Sequence, residues 1–178
     1  MKSYRFCPYC GGQTKTKYIA EEEQERTVCT PCDERFYYNS IPCVGALIVD
    51  RNRVLLVKRN QTPFKGYWDI PGGFLEAGEH PEKGIMREVF EETGLRVKLN
   101  EILGIFMDKY GRKRKDTLNI YYIAKIIGGE MRAGSDAAAL KWFSKNNLPK
   151  RIAFRNGRQA LEAWQNRKYS LGGFIPIS

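Results

Sequence analysis

The chain has 178 residues, 42% of them hydrophobic and 28% charged, which suits one medium domain with a small appendage and excludes a disordered chain. No apolar run approaches the roughly 18–20 residues needed to cross a bilayer, and the opening MKSYRFCPYCGG lacks the apolar segment of a secretory signal, so a soluble cytoplasmic protein with no membrane partner is expected. The formal net charge of +10 stays positive even when four cysteines are counted as zinc-bound thiolates, and it favours polyanionic ligands such as phosphates.

Residues 1–38 hold four of the five cysteines and are expected to form a small β-rich zinc ribbon. Cys7-Pro8-Tyr9-Cys10 and Cys29-Thr30-Pro31-Cys32 are two CxxC pairs with eighteen residues between them. Each pair can turn two sulfurs toward one ion, and together Cys7, Cys10, Cys29 and Cys32 complete a tetrahedral, closed and therefore structural site. Gly11-Gly12 supplies a tight turn after the first pair. Disulfides do not suit a chain without a secretory signal, and a redox CxxC would open a helix rather than sit among turn residues. Cys43 is left over at the start of a strand, as a buried free thiol.

Residues 39–42 read as a join to the main domain, residues 43–167. There, residues 44–49 and 54–58 are β-rich runs around Asp50-Arg51-Asn52, which predicts a hairpin. Residues 67–70 form a short strand that stops at the turn Pro71-Gly72-Gly73. The spacing predicts a helix over residues 81–93, with Pro81 in its first turn, Gly94 just past its end, and Ile85, Val89 and Phe90 on one side. Residues 96–107 and 117–127 read as a long antiparallel pair joined by the basic loop 109–115. A further strand covers 139–143, and a second helix covers 155–165 with Leu161 and Trp164 facing the core. Residues 168–178 are a short C-terminal tail with no clear period.

The chemistry concentrates on the first helix. Glu88, Glu91 and Glu92 stand at i, i+3 and i+4, so their carboxylates share one helical face. Three adjacent like charges repel unless something positive joins them, and clustered hard oxygens suit magnesium or manganese. A solvated acidic face paired with nearby arginines is the competing reading. The glycine loop Pro71-Gly72-Gly73, with Gly78-Glu79 before the helix, tips the balance, because it can bring backbone close to a metal or phosphate.

Residues 73–95 fit G-x5-E-x7-R-E-U-x-E-E-x-G-U, with U aliphatic, at every specified position, and so resemble the Nudix box. The surrounding strand order resembles the Nudix fold, and the cysteine module resembles that of the Nudix subset with an N-terminal four-cysteine ribbon. The resemblance implies an α/β fold, an α/β/α sandwich with a mixed sheet, preceded by the ribbon. It implies a pyrophosphohydrolase acting on phosphoric anhydrides, which cleaves a nucleoside diphosphate linked to another moiety. Glu88, Glu91, Glu92 and the Gly73 carbonyl would bind catalytic magnesium or manganese, and zinc would be structural. Arg87 and Glu79 would pair to hold loop against helix, while Gly72, Gly73 and Tyr110 would contact substrate. The general base would be one of these glutamates or one of Asp108, Glu130 and Asp136. His80, the only histidine, fits a helix cap better than a base.

The substrate is less legible. Phe106, Tyr110, Tyr121, Tyr122 and Trp142 are able to stack on a ring, but strand aromatics belong mostly to the core. Tyr110, in the basic loop with Arg112, Lys113, Arg114 and Lys115, is the best stacking candidate. NADH pyrophosphatases share the ribbon-plus-box layout but carry a Pro-, Trp- and Phe-rich tract that is missing here. The layout also resembles plant chloroplast-type FAD pyrophosphatases, so FAD and ADP-ribose lead, with NADH and dinucleoside polyphosphates behind. The alternative is a nucleotide-sensing, nucleic-acid-binding regulator. Against it stand the intact glutamates and an acidic run of Glu21, Glu22, Glu23 and Glu25 that would repel a phosphate backbone. RNA 5′-end processing ranks last. A nucleotide-type small molecule, not a nucleic acid, is therefore the expected partner, with the ribbon serving folding, homodimer contacts or substrate access.

Overall fold

In a computed structural model, residues 4–111 and 115–167 are described; Arg112, Lys113, Arg114 and the tail 168–178 lie outside the described residues. The chain divides into two units, with the break between Asn39 and Ser40.

The first unit is a three-stranded antiparallel sheet of β1 (Thr14–Ile19), β2 (Gln24–Cys29) and β3 (Arg35–Phe36). Its buried cluster is Cys7, Cys29 and Phe36. That is too little apolar surface for a unit of under about 40 residues to fold without a staple, which explains the cysteines. Part of the acidic run is paired internally. Glu22 accepts from Arg26 (2.6 Å), Arg35 (3.4 Å) and the Tyr37 hydroxyl (3.1 Å).

In the second unit, period-2 burial builds two cores on one sheet. Strands β4 (Ile41–Asp50), β5 (Arg53–Arg59), β8 (Leu95–Tyr110), β9 (Lys115–Gly129) and β10 (Ala137–Ser144) run in the order β10-β5-β4-β9-β8, with the short β6 (Trp68–Asp69) on β5 and β7 (Gly72–Phe74) on β4. The β4–β9 pair is parallel and the others are antiparallel, so the sheet is mixed. Val44, Ala46 and Ile48 of β4 and Tyr122 and Ala124 of β9 join Ile85 and Val89 of helix α1 (Pro81–Thr93). The alternate residues Leu47, Tyr121 and Ile123 join Ala160, Leu161 and Trp164 of helix α2 (Arg155–Asn166) on the other face. Each fully buried Leu or Ile contributes about 1.5–3 kcal/mol. The result is the expected α/β/α sandwich.

Helix α1 starts where His80 Nδ1 accepts from the Glu82 N–H (3.3 Å) and ends at Gly94, whose left-handed φ of 71° lets its N–H bond to the Phe90 carbonyl. Phe90, expected beside Ile85 and Val89, is 48% exposed instead. Gly84, Ile85, Val89 and Thr93 are the buried residues, a narrow stripe that leaves position 90 turned outward.

The feature that creates the site is a splay between β4 and β5. They pair only from Ile48↔Leu55 to Asp50↔Arg53. Beyond that, β5 pairs with β6 through Val57↔Asp69 and Lys58↔Trp68, and β4 pairs with β7 through residues 43–45 and 72–74. Two expectations are corrected here. Gly72-Gly73 is not a free turn but part of β7, and Pro42 is not linker but lies in β4, opposite Leu118 of β9. A Cβ on Gly72 would fall 2.1 Å from the Val44 carbonyl oxygen, so only glycine lets β7 close against β4.

Candidate active site and zinc centre

The four cysteine sulfurs of the first unit all lie within 4.8 Å of one another. Cys7–Cys32 is 3.8 Å, Cys10–Cys29 is 3.4 Å and Cys10–Cys32 is 3.5 Å. Four sulfurs at about 2.3 Å from one zinc ion stand about 3.8 Å apart, so the set fits zinc, whereas a disulfide needs about 2.05 Å. Cys43 is a separate, buried free thiol; burial, with the Glu88 charge adding, pushes it up to about 12.

In the second unit Arg87 organises the loop–helix junction. Its Nε and Nη2 donate to the two Glu79 oxygens (2.8 and 2.9 Å), Nη1 to Glu88 (2.8 Å) and Glu91 (3.0 Å), and Nη2 also to the Phe74 carbonyl (3.3 Å). Glu79 takes a further bond from the Glu76 N–H (3.0 Å). These bonds from Arg87 hold the Glu79 carboxyl down at about 2. The loop is thereby tied to α1 by a bidentate pair.

The glutamates divide. Glu88 and Glu92 line the cleft left by the strand splay, a space of about 320 Å³. Burial raises the carboxyl pKa of both, Glu92 to about 8, against only one bond from the Gly72 N–H (3.0 Å). A Cβ on Gly73 would fall 2.6 Å from the Glu88 carboxylate, so the glycine backbone abuts these acids. The Glu91 side chain is 54% exposed and held by Arg87 outside the cleft lining. Among the described residues, only the cysteines bring three or more ligand atoms within 4.8 Å of one another. Glu88 and Glu92 nonetheless fit a hard divalent ion, since both are half-buried carboxylates on the cleft wall, Glu88 sharing Arg87 with its neighbours and Glu92 holding only the Gly72 N–H.

Tyr110, Asp108 and Asp136 also line the cleft, whereas Glu130 is exposed and does not. Tyr110 packs edge-on to Phe74 (5.0 Å) and lies 5.7 Å from Phe154. His80 caps α1 as described, and Tyr122 lies in the α1-side core with Trp142 packed against it, while Phe106 packs against the α2-side core. Sequence reasoning missed Arg59, Asp69, Asn119 and Asn156; Tyr121, weighed there as a stacking ring against a place in the core, both lines the cleft and joins the α2-side core. Asp69 accepts from Arg59 Nη1 (3.2 Å) and the Ile70 N–H (3.0 Å), yet burial still raises it to about 6. Arg59 is further fixed by the Pro63 carbonyl (3.0 Å) and lies 4.9 Å over the Phe154 ring. One signal was available: Thr117, Asn119 and Tyr121 recur every second residue along an otherwise apolar strand.

Comparison with known proteins agrees with this geometry. Residues 40–165 match the NUDIX domain model, and residues 5–37 match the Nudix N-terminal zinc-ribbon model. The chain is 42% identical over 120 residues to an ADP-ribose pyrophosphatase of Methanocaldococcus jannaschii, covering 67% of this chain and 70% of that protein. It is 29% identical over 151 residues to an NAD-capped RNA hydrolase, NudC, of Vibrio atlanticus, covering 83% of this chain but only 52% of the relative. A crystal structure of a NUDIX hydrolase from Nitrosomonas europaea superposes with a TM-score of 0.78 at 28% identity, over 91% of this chain and 90% of that one. Within the described residues no helix is long and apolar enough to cross a membrane. The chain belongs to the Nudix hydrolase family, as a pyrophosphohydrolase with the family's N-terminal zinc ribbon.

Proposed function

We propose that this enzyme hydrolyses the pyrophosphate bond of a nucleoside diphosphate linked to another moiety, with ADP-ribose first, FAD beside it, and NADH behind. The observation that carries the reading is the placement of Glu88 and Glu92 against the Gly72-Gly73 backbone, in a cleft that also presents Arg59 and the rings of Tyr110 and Phe154. The 42% identity to an ADP-ribose pyrophosphatase supports the ranking.

Glu88, Glu92 and the Gly73 carbonyl would hold the metal from the cleft side, with Glu91 joining after release from Arg87. Magnesium or manganese bound there supplies charge compensation for the phosphate oxygens and lowers the pKa of an attacking water. Arg87 and Glu79 act by position, because their bidentate pair fixes the loop that carries Gly73. Arg59, braced by Asp69, places a fixed cation beside the phosphates. A cleft carboxylate, from among Glu88, Glu92, Asp108 and Asp136, takes the proton of the attacking water. A small-molecule nucleotide is the proposed partner, and a homodimer the proposed assembly. The half-buried acids Glu88 and Glu92 on the cleft wall support an enzyme over a sensor, because a sensor has no use for their desolvation cost.

The test is a hydrolysis panel with magnesium or manganese covering ADP-ribose, FAD, NADH, dinucleoside polyphosphates and nucleoside triphosphates. Release of AMP from ADP-ribose or FAD is expected. Cleavage confined to nucleoside triphosphates would overturn the proposed substrate class.

A further inference from the structure

The two helices of the sandwich begin differently. Helix α1 is capped from its own sequence by His80, with Pro81 at its first position and Glu82 as an acid in its first turn. Helix α2 has none of these. Its N-cap is Phe154, whose side chain makes no capping bond, and its first turn holds no acid and opens with the cation Arg155. A helix start carries free N–H groups and a partial positive charge, so a cationic turn without a cap leaves both uncompensated.

The missing carboxylate comes from another element. Asp108, near the end of β8 and 48 residues away, accepts the Asn156 N–H on Oδ2 (2.9 Å). Asn156 is the second residue of the helix, and its N–H is one that an N-cap side chain ordinarily takes. Asp108 Oδ1 accepts the Lys109 N–H (2.8 Å), so both oxygens are engaged and the carboxylate is set in its orientation. Arg155 Nη2 donates to the Met107 carbonyl (3.4 Å), on the same step of β8. The Gly157 N–H is satisfied inside the turn, by Asn156 Oδ1 (2.7 Å).

Just before the helix, the chain is held through backbone. The Trp68 N–H donates to the Arg151 carbonyl and the Ala153 N–H to the Trp68 carbonyl, each at 2.9 Å. Phe154 falls between these two attachments in the chain. Its ring carries Arg59 at 4.9 Å and stands 5.7 Å from Tyr110. The placement of Arg59 in the cleft therefore depends on Asp69, which takes its Nη1, and on the ring that Asp108 helps to hold.

We infer that Asp108 is a positioning residue and not the proton acceptor: it caps α2 from β8 and so fixes Phe154 and Arg59 on the cleft wall. The inference rests on the pyrophosphohydrolase reading and leaves Glu88, Glu92 and Asp136 as the carboxylates that take the proton. A cap and a base make opposite demands on a substitution. Asparagine caps a helix about as well as aspartate does but cannot accept a proton from water, whereas alanine does neither.

The experiment compares wild type, Asp108→Ala and Asp108→Asn in the zinc-replete full chain, by steady-state hydrolysis with magnesium and by hydrogen exchange at the Asn156 and Gly157 amides. Asp108→Ala is expected to speed that exchange about tenfold, raise KM about fivefold and lower kcat less than about twofold. Asp108→Asn is expected to bring exchange and KM back to within about twofold of wild type, with kcat within about threefold. A fall in kcat of about 100-fold or more in the asparagine variant makes Asp108 the proton acceptor and overturns the inference, and this arm stands even if the alanine variant folds poorly. Wild-type exchange together with wild-type KM in the alanine variant overturns it as well. Exchange needs no substrate, so the two readings fail separately. Faster exchange in the alanine variant, restored in the asparagine variant, with no turnover by any of the three proteins, upholds the cap and removes the pyrophosphohydrolase reading alone.

Discussion

The cysteine cluster of the ribbon and the proposed catalytic centre of the second unit are built on opposite plans. In the ribbon, four soft ligands from two turns converge until every sulfur lies within 4.8 Å of the others. In the Nudix domain, the acids stand apart: Glu92 sits on the Gly72 N–H, while Glu88 and Glu91 share Arg87. The difference follows from purpose. A structural ion replaces a hydrophobic core and needs a complete, closed shell, whereas a catalytic ion must share its shell with substrate phosphate and water. The proposed catalytic centre therefore keeps its acids only partly compensated, which costs stability where the ribbon gains it.

The largest expected effect on turnover separates these plans at Glu92. Glu92→Gln should lower kcat by about 10³-fold or more, as loss of a metal-binding or proton-accepting carboxylate does. Its stability should move the other way. The folded Glu92 carboxyl lies at about 8, above its ordinary value of 4.5, so ionising it costs the fold nothing below about 4.5 and progressively more up to about 8. Without divalent metal, Glu92→Gln should melt higher than wild type at pH 8.5, with the gap closing near pH 4. A lower melting temperature at pH 8.5 would contradict the strained-acid account.

Next in size is the ribbon. Cys29→Ser should bring zinc content from one per chain to none, as measured by atomic emission. Hydrogen exchange should then accelerate across the first unit, while the sandwich keeps its protection. Full zinc retention in this variant would mean that the four sulfurs do not act as one site.

The smallest effect concerns the brace. Glu79 lies at about 2 when folded, below its ordinary 4.5, so its pairing stabilises the fold above about 4.5 and is lost as pH falls toward about 2. Glu79→Gln should therefore lower the melting temperature modestly at pH 6 and leave it unchanged at pH 2. Its turnover should fall about tenfold through misplacement of the Gly73 loop. An equal deficit at pH 2 and pH 6 would show that the Glu79–Arg87 charge pair is not the source.

Much of this was legible in the chain itself, where local rules act. Pro81 and Gly94 bracket α1, the CxxC spacing announces the sulfur cluster, and period-2 patterns locate the long strands. What escaped depends on pairings between distant residues. Gly72-Gly73 looks like a turn because a two-glycine step gives no strand signal, yet β4 recruits it across the splay. Asp69, Arg59 and Asn156 meet in the cleft from β6, β5 and α2, and no spacing along the chain predicts that meeting. Phe90 was misjudged for a simpler reason: the helix needed only a narrow apolar stripe, and position 90 falls off it.

Manganese binding to the zinc-replete chain, followed by electron paramagnetic resonance in wild type, Glu88→Gln and Glu92→Gln, tests the central claim most directly. Wild type should bind manganese in addition to its zinc, and each variant should bind it about tenfold or more weakly with zinc content and fold unchanged. Equal manganese affinity in all three proteins would contradict the assignment of the catalytic metal to the Glu88 and Glu92 side of the cleft.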